Sequence, residues 1–382
     1  MTTSPEPAAR SGGEGRRYEL LEQDLDLVRG LVAIPSLSRQ EGEAVEWLVA
    51  RMAERGFRAT VDDAGNAVGE IGDGPRHIVL LGHIDTVPGE IPVRIEDGEL
   101  VGRGAVDAKG PLAAFVAAAT ERVAGLRVTV VGAVEEESPT SKGARYRATL
   151  PAPDQCVIGE PSGWNAVTVA YKGRLGLRVA FAREARHGAA PGPTCTEEAL
   201  ALWGKVRLSA EGRTPERTGF EKLDCRLEGI QGGMSDGLIE RAELRVGYRL
   251  PPGIATAELL EEVRAIAATH QGEASVTVEK IASEEPARTP RTTSLARAFV
   301  GAIAETGGSA TFKVKSGTSD MNILAPAWGC PMVAYGPGDS RYDHAPMERL
   351  VLADYARAIA VLRGVLRRVS DPRIEPRPAR AG

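Results

Sequence analysis

Residues 78–87 read Ile78-Val79-Leu80-Leu81-Gly82-His83-Ile84-Asp85-Thr86-Val87. An apolar run of this kind predicts a buried central strand that carries polar groups at its end. In open α/β sheets, ligands collect beyond the carboxyl ends of the strands. If the extended path continues, His83 and Asp85 face the same side, and Asp85 can accept a hydrogen bond from a metal-bound His83. The competing interpretation is a strand end with two solvated polar residues.

The composition indicates a globular chain without a surface for nucleic acid or membrane. Its 382 residues suffice for two domains, and 42% apolar residues suffice for their cores. A formal net charge of -5 offers no overall basic face to nucleic acid or anionic lipid. The four cysteines form no C-x-x-C pair, which argues against a disulfide framework and fits a reducing cytoplasm. Small molecules or proteins are the expected partners.

The order of apolar patterns predicts an α/β fold that an insertion interrupts. Helical periods alternate with buried runs in 18–171, and this texture returns in 285–370. The residues between, 172–284, have the mixed segments of an α+β unit. We therefore predict one discontinuous catalytic domain, one inserted domain, and disordered tails at 1–17 and 371–382.

Acidic residues follow further predicted strands in the same way that His83 does. The run Leu126–Val134 ends in Glu135-Glu136-Glu137, and Gln155–Gly159 ends in Glu160. Three acids at the end of an element are commonly a solvated first turn. Because acidic residues also end a second and a third predicted strand, we instead favour a functional site formed by these residues.

A late histidine and an aspartate complete a candidate ligand set. Asp107 lies in a Gly-rich stretch, residues 102–110, whose spacing matches neither the dinucleotide nor the P-loop pattern. The set comprises His83, Asp107, Glu137, Glu160 and His344. Nitrogen and oxygen donors without thiolates suit zinc, cobalt or manganese. Two imidazoles and three carboxylates, one of them shared, are a natural set for two ions about 3.5–4 Å apart.

These motifs make the chain resemble the M20 family of dinuclear metallo-amidohydrolases, which includes acetylornithine deacetylases and succinyl-diaminopimelate desuccinylases. The resemblance is collinear from about Leu21 to Arg367. The matching motifs are Gly82-His83-Ile84-Asp85-Thr86-Val87, Gly102-Arg103-Gly104 to Lys109-Gly110, Glu135-Glu136-Glu137, Gly159-Glu160-Pro161-Ser162 and Asp343-His344. The resemblance implies a metallo-exopeptidase-like domain with a mixed central sheet and an inserted α+β lid that also dimerises.

The resemblance also implies a role for each ligand. His83 and Glu160 would hold one divalent ion, Glu137 and His344 the other, and Asp107 would bridge them. Zinc is the first expectation for both ions, and cobalt is the second.

Two further residues would serve the chemistry. Asp85 would orient His83, and Glu136 would be the general base. The family usually has Asp-Glu-Glu in the acidic motif, so Glu135 departs from that pattern and leaves a base one position away as an alternative.

Substrate contacts are implied in the insert and in a late loop. His187 resembles a lid histidine that reaches across a dimer interface toward the reacting centre. Arg249 resembles the arginine that grips a substrate carboxylate. Gly317 and Thr318 lie in what looks like the substrate-side loop.

The segments around the acidic motif, Glu160 and His344 look most like the branch that releases lysine or ornithine from an amino-group carrier protein. That branch cuts an amide on the γ-carboxyl of the carrier's C-terminal glutamate. One alternative is a small-molecule deacylase that acts on acetylornithine or succinyl-diaminopimelate. Another is a non-catalytic binding protein, which the complete ligand set argues against.

An acidic carrier would require basic residues around the opening of the active site, here called the basic mouth, although the enzyme as a whole is acidic. Two stretches that flank the predicted site supply cations, and ordinary solvated charge is the competing interpretation. These cations are Lys142, Arg145, Arg147, Lys172, Arg174, Arg178, Arg183 and Arg186.

Overall fold

The computed structural model describes residues 18–371. The helices are α1 Glu22–Ala33, α2 Gly42–Glu54, α3 Lys109–Ala119, α4 Lys142–Ala148, α5 Cys195–Arg213, α6 Thr256–Ala268, α7 Ser294–Glu305, α8 Met321–Trp328 and α9 Leu352–Val369. The strands are β1 Arg58–Val61, β2 Ala67–Ile71, β3 Arg76–His83, β4 Arg94–Glu96, β5 Glu99–Val101, β6 Leu126–Ala133, β7 Gln155–Gly159, β8 Ala166–Tyr171, β9 Gly173–Glu184, β10 Asp224–Ser235, β11 Ile239–Leu250, β12 Ser275–Glu284, β13 Ala287–Arg288, β14 Thr311–Lys315, β15 Met332–Ala334 and β16 Arg349–Val351. The predicted disordered tails lie outside these residues, except for Asp371.

The larger sheet is mixed and has β3 near its centre. Its strand order is β1-β2-β6-β3-β7-β15-β8-β13, with β14 paired to β8. Both neighbours of β3 run parallel to it, whereas β2 runs antiparallel to β6. This arrangement confirms the predicted α/β class with a mixed central sheet. The apolar run from Ile78 is buried along β3, as is usual for a parallel strand covered by helices on both faces.

The central strand is shorter than the apolar run suggested. It ends at His83, and Asp85 already lies in the following loop. The loop places Thr86 against Ser36, whose carbonyl accepts the Thr86 N–H at 2.8 Å. The regular strand therefore does not extend to Asp85, although the Asp85 carboxylate still lies 3.5 Å from His83 Nδ1.

A second sheet, with the order β10-β11-β9-β12, forms a smaller unit together with α5 and α6. All of its strand pairs are antiparallel. Its apolar core is drawn from residues 175–274 and is separate from the clusters on either face of the larger sheet. A three-stranded sheet of β16, β5 and β4 completes the fold. No helix within residues 18–371 is both long and apolar enough to cross a bilayer.

Candidate metal centre

Three adjacent parallel strands deliver candidate ligands to one edge of the larger sheet. His83 is the last residue of β3, Glu160 directly follows β7, and Glu137 lies in the loop that follows β6. Because the three strands run parallel, their carboxyl ends meet at the same edge. Side chains far apart in sequence therefore come together there.

Asp107 lies between two imidazoles. Its Oδ1 is 3.2 Å from His83 Nε2, and its Oδ2 is 3.2 Å from His344 Nε2. The Nε2 atom of His344 is also 2.9 Å from Glu137 Oε1. One carboxylate thus offers an oxygen to each of two donor groups.

The structure gathers all five predicted ligands into two sets that share Asp107. Potential ligand atoms lie within 4.8 Å of one another in His83, Asp107 and Glu160, and in Asp107, Glu137 and His344. A further set within the same limit, His83 with Glu136 and Glu137, includes the predicted base. Nitrogen and oxygen donors without sulfur fit zinc, cobalt or manganese.

The two imidazoles and Asp107 stabilise each other's charged forms. Burial opposes ionisation of Asp107, but hydrogen bonds to His344 and His83 outweigh it and hold the pKa of Asp107 well below its usual range. Hydrogen bonds to Asp107 and Glu137 raise the pKa of His344 to about 10. Burial lowers the pKa of His83, yet its contacts with Asp107 and Asp85 raise it well above the usual value. Such pairing is expected where cationic metal would replace protons.

Asp85 contacts His83 through its own backbone carbonyl, and its carboxylate binds the backbone of the acidic motif. The Nδ1 of His83 donates to the backbone carbonyl of Asp85 at 2.9 Å, while the nearest carboxylate oxygen is 3.5 Å away. Because a carbonyl only accepts, Nδ1 carries a proton, and Nε2, which faces Asp107, is the nitrogen that would bind a metal in place of its own proton. The buried Asp85 carboxylate accepts hydrogen bonds from Ser38 Oγ at 2.7 Å and from the N–H groups of Glu136 and Glu137 at 3.0 Å.

Glu136 is an unusually basic carboxylate. Burial raises its pKa well above the usual value; His83 opposes this shift, and the charges of Asp320, Glu160 and Glu137 add to it. A carboxylate in such surroundings can take up a proton at neutral pH.

Asp320 was not predicted from the sequence. Its side chain is buried, and its Oδ1 has no hydrogen-bond partner. Burial and nearby acids, against the opposing charge of His83, raise its pKa to about 7. The residue is the last of the predicted substrate-side loop, residues 316–320, and no role beyond that position was predicted for it.

Glu348 is a second residue that the sequence did not reveal. Its fully buried carboxylate accepts hydrogen bonds from the N–H groups of Gly104, Val106 and Asp107 at 2.8–2.9 Å, and from Arg103 at 3.0 Å. The same loop requires glycine at position 104, because Gly104 has φ +83° and a Cβ there would lie 2.8 Å from a Thr86 methyl carbon. Glu348 therefore fixes the loop that presents Asp107.

Arg249 lies in the smaller unit beside a second arginine. In the sheet it is directly opposite Arg174 of β9 on one side and Asp224 of β10 on the other. No ion pair joins either arginine to an acid in the described part of the chain, and Arg249 Nη1 is buried without a hydrogen-bond partner. Burial and the neighbouring Arg174 lower the pKa of Arg249. Directly opposed like charges are unfavourable, and the charge of Glu284, opposite Arg174 on β12, compensates the pair in part. A carboxylate of a substrate would add to this compensation.

Within residues 18–371, no hydrogen bond or ion pair joins the other predicted substrate contacts to the ligand candidates. His187 is exposed in the smaller unit, where its Nδ1 accepts the Ala189 N–H at 3.2 Å. Gly317 is exposed and Thr318 is half-buried, both just before α8.

Most of the cations predicted for the basic mouth are ion-paired within the protein. Lys172 is fully buried and donates to Asp224 at 2.7 Å. Arg183 is ion-paired with Glu240 at 2.6 Å, and Arg178, Arg186 and Arg147 also have acidic partners. Because the sequence does not show which strand lies beside which, these pairs were not foreseeable. Lys142, Arg145 and Arg174 remain as candidates.

The fold and the collected ligands define a metallopeptidase-type hydrolase, and the chain belongs to peptidase family M20/M25/M40, whose model matches residues 79–368. Among its relatives is the LysW-lysine hydrolase of Deinococcus radiodurans, which is 45% identical over 353 residues, covering 90% of this chain and 96% of that protein. A putative LysW-lysine/LysW-ornithine hydrolase of Thermococcus kodakarensis is 40% identical over 349 residues, covering 90% and 92%. The M20 family metallo-carboxypeptidase Sso-CP2 of Sulfolobus solfataricus shares the fold, with a TM-score of 0.74, 16% identity and coverage of 92% and 100%.

Proposed function

We propose that this chain is a metal-dependent amide hydrolase of lysine or arginine biosynthesis. It releases lysine, ornithine or both from the C-terminal γ-glutamyl group of an acidic amino-group carrier protein. The observation that carries the hydrolase assignment is the position of Asp107, whose two oxygens each lie 3.2 Å from a different imidazole. The choice of substrate is supported by the 45% identity to a LysW-lysine hydrolase.

Two divalent ions, with zinc the first choice and cobalt the second, belong to this proposal. His83 and Glu160 would hold one, Glu137 and His344 the other, and Asp107 both. When bound, the pair would polarise the scissile carbonyl and lower the pKa of the attacking water toward about 7.

Glu136 would move the proton. Its raised pKa suits a carboxylate that accepts a proton from water and later delivers it to the leaving amine. Asp85 supports this role by holding the backbone N–H of Glu136 at 3.0 Å.

The smaller unit would bind the substrate. No ion pair within residues 18–371 joins Arg249 or Arg174 to an acid, although the charge of Glu284 lies near both. The two arginines would hold the carboxylate of the amino acid to be released. Gly317 and Thr318 would contact the substrate from the loop that precedes α8.

The quaternary arrangement extends the proposal. Residues 172–284 would form a lid that also dimerises, inserted into a catalytic domain of 18–171 and 285–370. His187 would then reach the centre of the partner subunit, which agrees with its exposure and its lack of contacts with its own ligand set. The enzyme would work in the cytoplasm, where its carrier is made.

Hydrolysis of defined conjugates tests the function. Carrier-γ-lysyl and carrier-γ-ornithyl conjugates are compared with acetylornithine and succinyl-diaminopimelate, after chelation and readdition of zinc or cobalt. We expect metal-dependent turnover that favours a carrier conjugate, and Glu136→Gln serves as the control for contaminating hydrolases. Preference for a free acyl amino acid would replace the proposed substrate with that of a small-molecule deacylase.

A further inference from the structure

The described backbone passes between the larger sheet and the smaller unit at two points. Lys172 joins β8 to β9, and Glu285 and Pro286 join β12 to β13. The metal-ligand candidates lie on one side of these crossings, and the arginine pair lies on the other. The geometry of the crossings therefore decides how far the arginines are from the ligands.

One buried amide holds both crossings. Asn322, in the first turn of α8, donates from Nδ2 to the carbonyl of Lys172 at 3.0 Å and to the carbonyl of Glu285 at 2.7 Å. Its Oδ1 accepts the N–H of Ser319 at 2.9 Å. The side chain is 3% exposed, so these three bonds are made away from water, where each is costly to lose.

The crossing residues are also anchored inside the smaller unit. The Nζ of Lys172 donates to the carbonyls of Gly219 and Lys222 at 3.2 and 2.6 Å, and to Asp224. The carboxylate of Glu285 accepts the backbone N–H of Thr256, at the start of α6, at 3.1 Å. Each crossing thus ties its backbone to Asn322 and its side chain to the smaller unit.

The same crossings lie next to the arginine pair. Arg174 follows Lys172 by two residues on β9 and pairs across the sheet with Arg249 and with Glu284. On the other side, the Lys172 N–H donates to the carbonyl of Lys315 at 3.0 Å. The Nζ of Lys315 is 3.7 Å from Glu160 Oε2. A short connected path therefore joins the arginines to a ligand candidate.

We propose that Asn322 is a positioning residue that sets the distance between the arginine pair and the metal centre. This inference rests on the proposed function, in which the arginines hold a carboxylate of the substrate while the centre acts on the amide. An error of about 1 Å in such an arrangement can cost about 10²-fold in rate. Asn322 acts through these groups and touches neither the substrate nor a metal.

Two substitutions test the role. Asn322→Asp keeps the acceptor for Ser319 but turns two donors into an oxygen that faces two carbonyl oxygens. Asn322→Ala removes the side chain without adding a charge and serves if the aspartate variant does not fold. On the preferred carrier conjugate we expect kcat/KM to fall by about 10–100-fold in either variant, with metal content unchanged.

A substrate analogue separates positioning from general damage. In the analogue the carboxylate of the lysine or ornithine is a carboxamide, which cannot make the charged contact with arginine. We expect wild type and Asn322→Ala to hydrolyse this analogue at rates within about twofold of each other, because the charged contact between the arginines and a carboxylate is absent in both. Glu198→Gln, a buried change within the smaller unit away from both crossings, controls for loss of stability.

A double-mutant cycle with Arg249→Lys gives a second measure. If Asn322 acts through the arginines, its substitution lowers kcat/KM little further once Arg249 no longer holds the substrate carboxylate. The two effects on kcat/KM are then strongly non-additive. Equal losses on both substrates, additive effects in the cycle, or loss of metal would overturn the positioning role. If wild type instead prefers a free acyl amino acid, the proposed substrate fails, and the same measurements on that compound and its carboxamide still decide the role of Asn322.

Discussion

Two buried carboxylates, Asp85 and Glu348, shape the metal centre by accepting backbone N–H groups. Asp85 accepts from Glu136 and Glu137, and Glu348 accepts from the segment that ends at Asp107. Each fixes a loop that carries ligand candidates. Loops held by buried charge-assisted hydrogen bonds can present ligands as precisely as strands do.

Substitution of the acidic motif separates the base from the ligands. Glu136→Gln removes the proton acceptor, so we expect retained metal and a fall in kcat of about 10²–10⁴-fold. Glu137→Gln, the matched change one position later, removes a ligand and should release metal. Metal analysis after gel filtration, together with kcat, distinguishes the two. Full activity of Glu136→Gln, or metal loss in that variant alone, would show that the general base is the residue one position away.

Glu348→Gln tests the support of Asp107. A glutamine amide places N–H donors where the carboxylate accepts several, so the loop that presents Asp107 should loosen. Removing such indirect support typically costs about 10–100-fold in metal affinity. Competition with a chelator measures it, and exposed Glu46→Gln on α2 is the control. An unchanged affinity would show that the loop holds its shape without Glu348.

Among the elements, segments with a clear apolar pattern were predicted, whereas β10 and α8 were missed. The strand β7 has its predicted bounds, Gln155–Gly159, and β6 ends at Ala133, one residue before the predicted end. The 12-residue strand β10 was missed because most of it is exposed, and its pairing with β11 supplies the order that its sequence does not signal. The helix α8 was missed because it is short and contains Pro326.

The smaller unit should lose stability in acid through Glu198 of α5. This buried carboxylate accepts from His270 at 2.7 Å and from the N–H groups of Glu273 and Ala274. Burial opposes its ionisation, but these bonds outweigh burial and lower its pKa. A lowered folded-state pKa contributes stability above the unfolded value of about 4.3, and that contribution is lost as pH falls through the folded value.

Glu198→Gln should therefore cost about 1–3 kcal/mol at pH 7, and less below about pH 4. Urea unfolding of wild type and variant at both pH values measures the difference. Exposed Glu211→Gln, also on α5, is the matched control. A cost that stays constant with pH would show that the effect is one of packing and not of charge.

At the scale of the whole molecule, the acidic carrier of the proposed function would have to approach a chain of net charge -5. Lys142 is exposed and has no ion pair with any described residue. The side chain of Arg145 is 49% exposed, donates to the carbonyl of Thr140 at 3.0 Å and is 3.4 Å from Glu284. Both lie on α4, which follows the acidic motif. They form the part of the predicted basic mouth that could steer a partner.

Steering by these two residues predicts a salt effect. From about 0.05 to about 0.5 M NaCl we expect kcat/KM on the intact carrier to fall several-fold, because screening shortens the range of the attraction. Lys142→Glu with Arg145→Glu should lower that value further and reduce its salt dependence, whereas Arg207→Glu on the exposed face of α5 should not. A rate on intact carrier that does not change with salt would rule out steering.

The sequence by itself determined the α/β class and the five residues expected at the metal centre, because buried strands and their polar ends are local patterns. Only the tertiary structure decided that Asp107 lies between His83 and His344, that Glu348 holds its loop, and that most predicted mouth cations are paired internally. Those facts depend on which segments become neighbours. Such neighbours are set by packing over hundreds of residues, and no local pattern encodes them.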